Sequence, residues 1–204
     1  AYSNRFWPAK YLIDANGNIR YTHFGEGKYD ETERMIQNLL EEANQTAVTE
    51  EISNQEYRIY SRTPELYLGS KRIQYLASRE DYQDGEPTTF TLPSSLPANA
   101  FGYEGEWEIN PEYSAPSSGS TLKLNFESKQ VFLVARPEST GLSGEMKMFL
   151  GGEQQDLGRD VEDGIVTVDS DSLYELINLP EPGRHELTIE FPDDNLEVYA
   201  FTFG

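Results

Sequence analysis

The sequence predicts a mainly β protein, an antiparallel β-sandwich preceded by a short ββα unit. Three observations lead there. From Thr88 onward, short alternating runs are separated by Gly, Pro, Ser and Asp clusters at sandwich-like spacing. Aromatic residues make up 12% of the chain, with 13 Tyr and 10 Phe, which suits pleated sheet better than helix. Ahead of residue 44 the patterning instead reads strand, tight turn, strand, helix.

In the opening stretch, Tyr11-Leu12-Ile13 is a short apolar run. Asn16-Gly17 follows, a dipeptide suited to a type I′ hairpin turn because both central positions need positive φ. Ile19, Tyr21 and His23 then alternate with Arg20 and Thr22. Asp30, with Glu33 three residues later, resembles a capping box. Met35, Ile36, Leu39 and Leu40 fall on one face of the predicted helix. This unit is expected over 1–46. Residues 47–87 read as a linker followed by a docked irregular stretch containing Tyr67-Leu68-Gly69 and Ile73-Gln74-Tyr75-Leu76.

The sandwich is expected over 88–204, with eight or nine strands. Phe101, Tyr103, Trp107 and Ile109 share one parity. Leu122 to Phe126 alternates. Gln130 to Arg136 reads as a fully buried strand. Glu145 to Leu150 turns through Gly151-Gly152. Ser172 to Leu179 fits a strand or a short helical turn at an edge. His185 to Phe191 alternates, and Leu196 to Phe203 closes the chain.

The chain has 204 residues and a net charge of −20, from 16 basic and 36 acidic residues. So acidic a surface repels phosphate backbones and anionic lipid heads, which argues against nucleic-acid and membrane-surface partners. No stretch approaches the ~20 apolar residues of a membrane span. There is no cysteine. Thiol–disulfide exchange needs a thiolate nucleophile, so the chain itself is expected not to be an enzyme of that kind.

The order Phe6-Trp7-Pro8, then YLIDANGNIRYTHFGEGKYDETE, resembles the C-terminal half of a thioredoxin-like fold of the periplasmic redoxin type. The resemblance implies that Pro8 is that family's cis-proline, that Trp7 and Pro8 belong to its peptide groove, and that a CxxC unit lies upstream. TPELYLG at 63–69, LPSSLPANAFGYEGEWEI at 92–109, LKLNFESKQVFLV at 122–134 and VYAFTFG at 198–204 resemble the C-terminal domain of DipZ-type proteins. That resemblance starts at 63. It implies a jelly-roll, carbohydrate-binding-module-like sandwich attached to a redoxin domain, in a periplasmic or extracytoplasmic location, with a membrane-anchored parent.

Three functions follow as expectations. The chain could be a non-catalytic glycan-binding part that localises or orients the redoxin domain. It could be a scaffold module with no glycan ligand. It could belong to a thiol–disulfide oxidoreductase whose cysteines lie upstream. Expected partners are a polysaccharide, and the missing redoxin half or a neighbouring chain. Tyr82, Tyr103, Trp107 and Tyr113 are the aromatic residues weighed for stacking on sugar rings. Trp107 reads more readily as core, from its parity with Ile109, and Tyr113 in the loop PEYSAPSSGS is the better ligand candidate. No cofactor is expected. The acids Asp160, Glu162 and Asp163 are weak candidates for a structural calcium, because DVEDG lacks the twelve-residue loop of an EF-hand. No catalytic constellation stands out: His23 and His185 are the only histidines and fall in different units.

Overall fold

A computed structural model describes residues 9–24, 28–43, 61–155 and 157–204. The chain divides into two compact units, Ala1–Ile59 and Tyr60–Gly204. Trp7 and Pro8 lie outside the described residues.

The first unit is a hairpin and a helix. Strands β1 (Ala9–Ile13) and β2 (Ile19–Phe24) pair antiparallel. The turn between them is longer than the expected two-residue type I′. Gly17 has φ of 85°, whereas Asn16 is not among the residues at positive φ. Asp14 organises the loop instead: its Oδ1 accepts from the amides of Asn16 and Asn18, each at 2.9 Å. Those bonds, led by the one from the Asn18 amide, hold the Asp14 carboxyl below its ordinary range. Helix α1 spans Tyr29–Glu42. Its N-cap is Lys28, at φ of 51° with no side-chain cap, so the capping box expected at Asp30 and Glu33 does not form. Asp30 and Glu31 fall in the first turn, where acids complement the helix dipole. None of the helix residues is buried.

The second unit is all β. Its strands are β3 (Leu66–Tyr67), β4 (Pro87–Phe90), β5 (Ala100–Ile109), β6 (Ser114–Pro116) and β7 (Ser120–Pro137). They continue with β8 (Gly144–Leu150), β9 (Glu153–Gln154), β10 (Ile165–Val168), β11 (Ser172–Phe191) and β12 (Leu196–Phe203). The hydrogen-bonded order is β10-β8-β11-β7-β12-β6-β5-β4, with β3 added to β12 and β9 to β8. All the strand pairs are antiparallel.

The long strands β7 and β11 build both layers of the sandwich. The first half of β7 runs between β5 and the second half of β11. Its second half runs between β12 and the first half of β11. The turn from one layer to the other falls where β11 loops out between Asn178 and Gly183. There the carbonyl of Gly204 accepts from the amides of Lys129 and Gln130 and from Ser128 Oγ. Strand β6 joins β12 to β5 on the other side. The segment 61–87, expected to be irregular, supplies β3 and two wholly buried leucines, Leu66 and Leu68.

The core follows the predicted parity of β5. Phe101, Tyr103 and Trp107 are 0% exposed. The Tyr103 and Trp107 rings stack with centroids 4.1 Å apart, and Phe191 meets Trp107 edge-on at 5.3 Å. Their polar atoms are satisfied, as burial requires. Trp107 Nε1 donates to the Glu104 carbonyl at 3.1 Å, and Tyr103 Oη donates to Ser114 Oγ at 3.0 Å. The run from Gln130 to Arg136 is not buried on both faces: Val131 and Leu133 point inward, but Val134 is 37% exposed. Ser172 to Leu179 is strand, within β11.

Candidate functional site

The outer face of the layer formed by β3, β12, β7 and β11 carries a groove. Its floor is one straight row. Tyr67 pairs with Ala200, Ala200 with Val134, and Val134 with Leu173. Residues directly opposite across antiparallel strands point to the same face. One position along, Leu66, Phe201, Leu133 and Tyr174 pair in the same way and are buried. The pleat therefore sets an accessible row directly over a core row. Two adjoining depressions lie along it, of about 810 Å³ and about 380 Å³, and Lys71, Pro111, Glu112, Val134 and Tyr199 line both.

The wall is aromatic. Tyr113 and Tyr199 approach with ring centroids 5.5 Å apart, inclined at 43°. Tyr113 ends the turn between β5 and β6, closed by the Asn110 amide donating to the Tyr113 carbonyl at 2.8 Å. The segment after β3 pins this turn: Ser70 N donates to Asn110 O at 2.9 Å and Lys71 N to Pro111 O at 3.1 Å. Such close backbone approach requires Gly69, since a Cβ there would lie 2.7 Å from the Glu112 amide nitrogen.

Tyr199 reaches the groove through a bulge. The β12–β7 register shifts between Val198 and Ala200, leaving Tyr199 as the extra residue. Its hydroxyl donates to Glu197, whose carboxylate also accepts from Arg136 Nε at 2.7 Å. The Glu197 side chain is only 6% exposed and that of Arg136 40%. The Arg136 guanidinium also stands 5.7 Å from the Tyr199 ring centre. Burial, then the Glu197 contact, pushes the Tyr199 phenol well above its ordinary range. The hydrogen bond to Glu197 likewise holds Arg136 firmly protonated. Burial raises Tyr113 too. Both rings therefore stay neutral at physiological pH, and the Tyr199 hydroxyl is fixed by Glu197.

The remaining candidates lie elsewhere. Tyr103 and Trp107 are sealed in the core and cannot offer a ring face to a ligand, which corrects them as stacking candidates and agrees with the core reading of Trp107. Tyr82 is partly buried against the core, with its ring tilted on Phe90 at 6.3 Å. Of the four aromatic candidates, only Tyr113 lines the groove. Tyr199 and Tyr67 are the ones sequence reasoning missed.

The calcium candidates do not converge. Asp160 Oδ2 accepts from the Glu175 amide at 2.7 Å and from Arg159 at 3.2 Å, while Glu162 and Asp163 sit in the turn before β10. Among the described residues, no three His, Asp or Glu side chains are grouped to hold a metal ion.

Residues 63–204 match the family described as "Thioredoxin like C-terminal domain". The chain belongs to this family. Along its whole length this thioredoxin-like C-terminal domain protein is 30% identical to Protein DipZ of Mycobacterium bovis and of Mycobacterium tuberculosis. It spans 28% of the length of those relatives. It is thus a DipZ-like member of the thioredoxin family. Among solved structures, a family two carbohydrate esterase from Clostridium thermocellum aligns at 18% identity and TM-score 0.42, over 52% of this chain and 31% of that one. The corresponding esterase from Cellvibrio japonicus aligns at 12% identity and TM-score 0.39, over 50% and 30%. Both are partial likenesses. Among the described residues, no helix is long and apolar enough to cross a membrane.

Proposed function

We propose that this chain is a non-catalytic part of a DipZ-like thiol–disulfide redox protein, and that its sandwich binds glycan and so localises or orients the redoxin domain outside the cytoplasm. The observation that carries the reading is the Tyr113–Tyr199 pair, held open on the outer face of a sheet by Glu197 and Arg136. A sugar ring has an apolar face of C–H groups and a rim of hydroxyls. Aromatic rings take the face, and fixed polar groups around a shallow groove take the rim. The volume of about 810 Å³ lies within the range of ligand sites.

Calorimetric titration of the 204-residue chain with soluble cell-wall and storage glycans tests this. Binding that Tyr113→Ala abolishes, with the melting temperature retained, supports it. No heat with any glycan refutes it. The non-catalytic part of the reading rests on the absence of cysteine. It expects insulin reduction by a parent protein carrying a CxxC pair and none by this chain.

A second reading has its own observation. Val134 and Leu173 are 37% and 45% exposed in register on adjacent strands, an apolar spot of the kind found at protein interfaces. A scaffold role predicts that a partner protein, and no glycan, protects these two residues.

A further inference from the structure

We infer that the groove takes an uncharged oligosaccharide several units long, laid across the strands from Tyr67 to Leu173. The inference rests on the glycan reading above and specifies its ligand.

Length comes from the register. The floor row crosses four adjacent strands, β3, β12, β7 and β11, at Tyr67, Ala200, Val134 and Leu173. Three inter-strand steps of ~4.8 Å make a floor roughly 14 Å long. That is too long for one sugar ring and suited to a short chain of them. The two depressions adjoin and have Val134 and Tyr199 in common, so a ligand laid along the floor row would meet both. Each end has its own feature. At one end the Arg72 guanidinium lies 3.6 Å from the centre of the Tyr67 ring and braces it. At the other, Leu173 stands beside Ser172 and Asp171.

Charge selects the class. The chain carries −20 overall, yet the channel is balanced: Lys71, Arg72 and Arg136 offset Glu65, Glu112 and Asp171. Most of these charges are already occupied. Lys71 pairs with Glu112 at 3.2 Å, Arg136 is tied to Glu197, and Glu65 accepts from the Tyr67 hydroxyl. The charges left over are Arg72 and Asp171, one of each sign, so the channel presents no net counter-charge to a ligand, and a polyanion would also meet the repulsion of the whole surface. Hydroxyl groups, by contrast, can share these polar atoms without breaking any pair.

The test is calorimetric titration of the 204-residue chain with cello-, manno- and malto-oligosaccharides from monomer to hexamer, and with uronate oligomers of matched length. At least one neutral series is expected to tighten tenfold or more between monomer and tetramer and then level off. Uronates are expected to bind at least tenfold more weakly. Tyr67→Ala and Leu173→Ser, one at each end, should each weaken the tetramer about fivefold and leave the dimer unchanged, with melting curves confirming the fold. Equal affinity for monomer and tetramer, tighter binding of uronates, or the same loss for dimer and tetramer would overturn the extended neutral ligand while the glycan reading stands. No binding of any saccharide overturns both.

Discussion

Arg136 and Glu197 form a pair whose two members are unequally buried, and that inequality has a measurable sign. Removing Arg136 leaves a carboxylate that is 6% exposed with the Tyr199 hydroxyl as its remaining side-chain donor. Removing Glu197 leaves a guanidinium that is 40% exposed and can turn to water. Breaking a buried pair costs about 3–5 kcal/mol when the surviving charge is stranded. Half-exposure of Arg136 and the retained Tyr199 contact bring Arg136→Ala down to about 2–3 kcal/mol. Glu197→Ala should cost about 1 kcal/mol, the ordinary worth of a hydrogen bond whose donors regain water. At roughly 2–4 °C per kcal/mol, the melting temperature falls by about 4–12 °C for the first and 2–4 °C for the second. The double variant should be more stable than Arg136→Ala alone, because no charge is then left buried. Urea denaturation followed by Trp107 fluorescence in a Trp7→Phe background gives all three values. If Glu197→Ala proves as costly as Arg136→Ala, or the double variant no better than Arg136→Ala, the pairing described here is wrong.

Trp107→Ala should destabilise the sandwich by about 3–5 kcal/mol, the usual cost of deleting a buried large aromatic, while the milder Trp107→Phe, if folded, should leave glycan affinity unchanged; calorimetry on both variants checks this. Gly69→Ala should cost about 1–3 kcal/mol in urea titrations, because its Cβ is forced against the Glu112 backbone, and should weaken ligand binding by displacing the Tyr113 turn. The Asp14 turn should loosen in acid. Its folded pKa is depressed, so its contribution is present above the unfolded pKa and is lost as pH falls through the folded value. A titration of the Asn16 and Asn18 amide chemical shifts should show a step there that Asp14→Asn removes.

The strands were legible because one face of each is buried. Parity alone placed Phe101, Tyr103, Trp107 and Ile109 inside, but the nine strands over 87–203 equal the eight or nine anticipated in number only, because β7 and β11 each join two anticipated runs and β6 lies in the anticipated loop PEYSAPSSGS. Tyr113 was legible as an aromatic residue in a polar loop. Tyr199 was not. Read with period two it shares its side with Phe201 and Phe203, and only the bulge after Val198 turns it outward. Val134 was hidden for a related reason. An apolar residue on the outer face of an apolar run gives no signal of exposure, and it takes the neighbouring strands to show which side is wet. Tyr67 lay in a segment with too few residues of regular strand to register as one. At the first hairpin the Asn-Gly signal located the turn but not its type, because Asp14 at the head of the loop competes for the same amides.

Strands β7 and β11, 18 and 20 residues long, pass from one layer of the sandwich into the other and pair with each other on both sides of the loop-out between Asn178 and Gly183. The floor of the groove is therefore anchored by two backbones that also frame the opposite side of the domain. A ligand settling on Val134 and Leu173 would meet a floor tied into both layers, and heat should dismantle those layers in a single step.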